Sequence, residues 1–154
     1  MANRQIKPSG LEIQTLGLLA YWVNKLLPKV EVALLPSRRY DAHMYCDEVV
    51  AGKAYKICYH PERIKEWTLP IVISGVFHEI GHIKIGWEGT NKNDHRDIMD
   101  EYVAERYALD MMKKHYPDCI PPVVKHVKKK MKQAKWRGRF PTHFITYTQI
   151  EEYQ

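Results

Sequence analysis

The order of apolar and polar positions divides the chain into helices and short strands. In residues 11–27, LEIQTLGLLAYWVNKLL, the side chains of Leu16, Leu19, Trp22, Val23 and Leu26 recur at helical spacing, which predicts an amphipathic helix. Ser9-Gly10 starts it and Pro28 stops it. The run VEVALLP (30–36) is short, β-branched and closed by proline, so it reads as a strand. HMYCDEVV and KAYKICYH flank Ala51-Gly52, which is a hairpin pattern. In the second arm Tyr55, Ile57 and Tyr59 alternate with Lys56, Cys58 and His60, and a period of two puts the first three on one face. These runs predict a small antiparallel sheet.

A helical turn is expected at 61–66. Thr68 and Pro70 then open a helix over 69–85 that is apolar on most sides, through Ile71, Val72, Ile73, Val76, Phe77, Ile80 and Ile83. Such a helix is buried. The turn-rich stretch GWEGTNKN (86–93) leads to Asp94, which can cap a helix running to Tyr116, before Pro117. A last helix over 121–135 carries Val123, Val124, Val127 and Met131 on one side. The stretch WRGRFPTHFITYTQIEEYQ at the end looks irregular or weakly strand-like.

With 154 residues and 45% apolar content, the chain suits one domain, 1–154, with its own core. The expected class is α+β, a small antiparallel sheet packed on the 69–85 helix with further helices around it. Cys46, Cys58 and Cys119 are odd in number and form no CxxC pair. A disulfide framework is not expected, and a reducing, cytoplasmic setting fits. The opening MANRQIKPSG is polar and does not resemble a signal peptide. No apolar run approaches the ~20 residues that span a bilayer, so no membrane partner is expected.

The net charge of +6 is uneven. Between Cys119 and Ile150 there is no acid, while Lys125, Lys128, Lys129, Lys130, Lys132, Lys135, Arg137 and Arg139 all lie there. An electrostatic partner is therefore to be sought in the basic segment 121–154.

The chemistry concentrates in FHEIGHIKIG (77–86). Residues four apart on a helix share a face, so His78 and His82 can grip one ion. Glu79 projects to the neighbouring edge of that spot, within reach of a metal-activated water. This is the HExxH arrangement, with glutamate as general base and zinc as Lewis acid. The bland alternative is an apolar helix with two incidental histidines. Against it, two imidazoles and a carboxylate inside a buried helix are costly without a partner, which a metal supplies. Gly81 leaves room beside the ion.

A catalytic zinc needs a third protein ligand and an open position. Glu88 follows His82 by six residues, but Ile85 stands where the metzincin glycine belongs. His95 lies at a distance nothing specifies. Glu101, in DEYVAERYALD, would reach the metal from a second helix packed across the first, with Glu105 one turn on to orient His78 or His82. Glu101 is the preferred ligand. Tyr102, Tyr107, His95 and His143 are candidates to assist at an oxyanion. Trp67 and Trp87 flank the motif and read as packing aromatics.

HEIGH followed by EYVAERYA resembles the gluzincin pattern, and the layout over 50–112 is similar to the ImmA/IrrE family. Ala104, Tyr107 and Ala108 match that family's Ala-x-x-(Phe/Tyr)-Ala signature. Glu105 replaces the usual Asp, and Val103 stands where members often carry Glu. The resemblance implies a zincin-like fold and a zinc-dependent endopeptidase acting on a specific intracellular, regulatory protein. It implies His78, His82 and Glu101 as metal ligands and Glu79 as base. It also implies substrate bound as an added strand on the sheet's edge, taken to be KAYKICYH.

The basic segment KHVKKKMKQAKWRGRF (125–140) admits two partners, a nucleic acid or an acidic protein surface, besides a simple solvated face. The alternative to an enzyme is a binding module with a structural or vestigial zinc. A variant of it is an SprT-like, DNA-associated protease with His95 as third ligand, although the motif surrounding that family's site is absent here.

Overall fold

The computed structural model describes residues 10–84 and 95–136, with side chains from 101 to 133 in the second stretch. Among the described residues the architecture is mixed α and β, with four helices and a three-stranded sheet: α1 (Gly10–Leu26), β1 (Glu31–Pro36), β2 (Met44–Val50), β3 (Ala54–Tyr59), α2 (Leu69–Lys84), α3 (His95–His115) and α4 (Ile120–Trp136). A 3-10 turn, Arg63–Glu66, lies between β3 and α2, and a second, Pro117–Cys119, between α3 and α4. The expected loop 86–93, the Asp94 cap and the C-terminal stretch beyond Trp136 fall outside the described residues.

The sheet is mixed, which corrects the antiparallel expectation. Its order is β1-β3-β2. β2 and β3 pair antiparallel around Gly52, whose φ is +67°, a left-handed conformation that glycine adopts without steric cost. β1, however, pairs with β3 in parallel, from Glu31↔Ala54 to Pro36↔Tyr59. A parallel neighbour needs a long crossover, and residues 37–53, β2 included, supply it. KAYKICYH is thus the central strand, not the substrate-accepting edge. The residues of β3 explain its place. Tyr55, Ile57 and Tyr59 are buried as the alternation predicts, but so is Cys58 on the other face. The edges fall to β1, beside α1, and β2, beside α2.

α2 is the axis of the core. Thr68 offers its carbonyl to the Val72 N–H at 3.0 Å, and Pro70 occupies the first turn, where no N–H is needed. Val72, Val76, Phe77 and Ile80 are all but inaccessible. Around them pack Leu19, Trp22 and Val23 of α1, Ala108, Leu109 and Met112 of α3, and Val123, Val124 and Val127 of α4. Trp22 ties three elements together. Its indole N–H donates to the Tyr116 hydroxyl at 3.2 Å, and its ring meets Phe77 edge-on at 4.9 Å. Phe77 immediately precedes His78, so this contact fixes the back of the motif. Among the described residues, no helix is long and apolar enough to cross a membrane.

Candidate metal centre

α2 and α3 are held unusually close by the glycine inside the motif. A Cβ built on Gly81 would stand 3.1 Å from Ala104 Cα, 3.2 Å from the Ala104 carbonyl oxygen and 3.2 Å from Tyr107 Cδ1. The space at Gly81 is therefore taken by α3, which corrects the expectation that it lies beside an ion. Ala104 and Ala108 are fully buried in this seam. Small residues there let the backbones approach, and that approach brings the acids of α3 over the rings of α2.

Three side chains converge. His78 Nε2 lies 3.1 Å from His82 Nε2. Glu101 Oε2 lies 3.1 Å from His78 Nε2, and its Oε1 lies 3.1 Å from His82 Nε2. One ligand atom from each residue falls within 4.8 Å of the others. On the far side of its ring, His78 Nδ1 is 2.7 Å from Glu105 Oε1. His82 and Glu105 are buried, while Glu101 is a third exposed at its side chain. The set is buried at its base and reachable from one side.

Two imidazole nitrogens and a carboxylate are a zinc donor set. A tetrahedral ion with bonds of about 2.0–2.1 Å spaces its ligands roughly 3.3 Å apart, close to the separations seen. The residues present thus fit the metal that the motif implies.

The electrostatics follow from burial and proximity. Burial alone would depress His78, but the carboxylates of Glu105, Glu101 and Glu79 outweigh it and raise its pKa well above the ordinary value. Burial likewise opposes ionisation of Glu101, yet the two imidazoles hold it well below the usual carboxylate range. Glu79, only 8% exposed, is pushed up, because desolvation and the neighbouring Glu101 and Glu105 outweigh the two histidines. A carboxylate with raised affinity for a proton is what a general base needs. It is not one of the three convergent ligand groups.

The other candidates divide. Glu88 and His143, and the side chain of His95, lie outside the described residues, as does Trp87. Tyr107 packs its ring on Gly81, and its buried hydroxyl has no hydrogen-bond partner among the described residues. Burial raises its pKa, so it keeps its proton. Trp67 lies off the site, stacked on the His43 ring at 4.6 Å and covering Gly75. One neighbour escaped the sequence reading. Cys46 of β2 is buried, and burial first, then the nearby Glu79 carboxylate, raises its thiol pKa. Its position on the inward face of β2 was the available signal.

Comparison with known protein families, with curated proteins and with solved structures finds no match for this chain.

Proposed function

We propose that the chain is a zinc-dependent endopeptidase of zincin-like build, in which His78, His82 and Glu101 hold the metal and Glu79 is the general base. The observation that carries this is the meeting of both Nε2 atoms with both oxygens of Glu101 at 3.1 Å, backed by Glu105 on His78 at 2.7 Å. When bound, zinc supplies Lewis-acid polarisation of a carbonyl and acidifies water. The protein residues do the rest. Glu105 fixes the ring orientation and tautomer of His78. Glu79 takes the proton of the attacking water and returns it to the leaving amine. Among the described residues three side chains converge; three protein ligands with a fourth position open would suit catalysis, whereas structural zinc sites close with four.

The substrate is an extended segment of an intracellular protein. Among the described residues β2 is the edge strand beside α2, and an edge ladder can accept such a segment as an added strand. This edge, and not KAYKICYH (53–60), takes that role.

The test is direct. The purified protein should take up one equivalent of Zn²⁺ and cleave members of a protein panel in a chelator-sensitive way. Glu79→Gln should retain the zinc and lose hydrolysis by orders of magnitude. A chain that takes up no zinc overturns the reading, and a fully active Glu79→Gln variant overturns the role of the base.

A further inference from the structure

α4 carries a charge pattern that the metal centre does not use. Its inward face is Val123, Val124 and Val127, all buried, flanked by Met131. Lys125, Lys128, Lys129 and Lys132 are exposed and recur at the i, i+3, i+4, i+7 spacing of one helix face. No acid occurs between Ile120 and Trp136. Among the described residues, no ion pair engages any of these four lysines. Four like charges are therefore held in a row on a scaffold fixed by its apolar side.

The row has a flank. Burial first, then Arg63 and Lys130, lower the pKa of His43, against the pull of Glu66. His126 is lowered by burial and then by Lys130, His43 and Lys129.

We propose that the outer face of α4 binds the phosphodiester backbone of a nucleic acid, independently of the metal centre. Lys125 to Lys132 spans about 10 Å of helix, and duplex DNA presents roughly six charges over that length. The chemistry of the face favours phosphate over an acidic protein surface. Protein interfaces depend on buried aromatic or apolar anchors and are depleted in lysine. Among the described side chains of α4, the exposed ones are Pro121, Pro122, the lysines and Gln133, without an aromatic among them. Contacts of this kind position a backbone and read no sequence.

The experiment measures binding of the full chain to labelled duplex DNA and single-stranded RNA across a salt series, with polyglutamate as the protein-like polyanion. Binding to a nucleic acid should weaken steeply with salt and exceed binding to polyglutamate. The triple variant Lys125→Gln, Lys129→Gln, Lys132→Gln should lower affinity at least tenfold at low salt. It should also reduce the log–log salt slope by about 3, from ~0.9 per phosphate contact. Lys29→Gln, Lys53→Gln, Lys65→Gln removes equal charge from exposed positions elsewhere and should leave most of the affinity. Circular dichroism confirms that both variants are folded, since Lys and Gln have similar helix propensity. Three results would overturn the proposal: no salt-dependent binding, tighter binding to polyglutamate, or equal losses in the two triple variants. Glu79→Gln and chelator should not alter binding, so failure here and failure of the peptidase reading are separable.

Discussion

Gly81 on α2 rests against the backbone of Ala104 on α3: an added Cβ would lie 3.1 Å from Ala104 Cα, so the neighbour would have to give by a few tenths of an ångström. This contact sets the distance between the helix bearing the histidines and the helix bearing Glu101. Gly81→Ala gains about 1 kcal/mol in helix propensity and incurs an overpacking cost of about 1–3 kcal/mol. The expected net result is a loss of up to about 2 kcal/mol, read as a lower urea midpoint. Zinc affinity should fall with it, because the seam has to give by a few tenths of an ångström. Unchanged zinc affinity in a folded Gly81→Ala chain would show that the seam does not set the ligand spacing.

Glu101 and Glu105 are one turn apart and do different work. Glu101 faces both Nε2 atoms, whereas Glu105 meets His78 at Nδ1, on the far side of its ring. Glu105→Gln should weaken zinc binding by the ~10–100-fold typical of a partner to a ligand. Glu101→Ala should exceed that, since on the proposed reading it deletes a ligand. Competition titration against a chromophoric chelator measures both. The reverse ranking would reassign the ligand.

Phe77 supports the motif from behind. It is fully buried and meets Trp22 at 4.9 Å and Tyr116 at 6.1 Å. Phe77→Ala should cost about 3–5 kcal/mol, visible as a drop in the denaturation midpoint. Bound zinc should recover part of that stability through mass action. No rescue by zinc would mean that the metal does not bind the folded state preferentially.

His126 predicts a pH effect away from the metal. Its pKa in the folded chain is lowered by burial, then by Lys130, His43 and Lys129. The unfolded chain takes up that proton near the ordinary value of about 6.5, while the folded chain resists. The unfolded state therefore binds more protons in that window, and the His126 contribution to stability is lost as pH falls through it. In His126→Gln the contribution is absent, so variant minus wild-type stability should shift in the variant's favour from about pH 7.5 to about pH 5. Urea denaturation at both pH values checks this. A difference that does not change with pH would contradict the lowered pKa.

The sequence alone determined what local periodicity encodes. The valine stripe of α4, the all-round apolar α2 and the alternation of Tyr55, Ile57 and Tyr59 each match the buried residues observed. The pairing of His78 with His82 followed from helix geometry, because residues four apart must share a face. Neighbour relations across the chain were decided by tertiary structure. Alternation states which face a strand buries but not which strand lies beside it, so the parallel β1–β3 pair and the central place of KAYKICYH could not be read from it. For Glu101, spacing offered a candidate, and only helix packing through Gly81 and Ala104 put its two oxygens on the two rings. Contacts within one turn are fixed by the backbone screw, whereas contacts between elements depend on how whole faces fit, and a single missing methyl group governs that fit here.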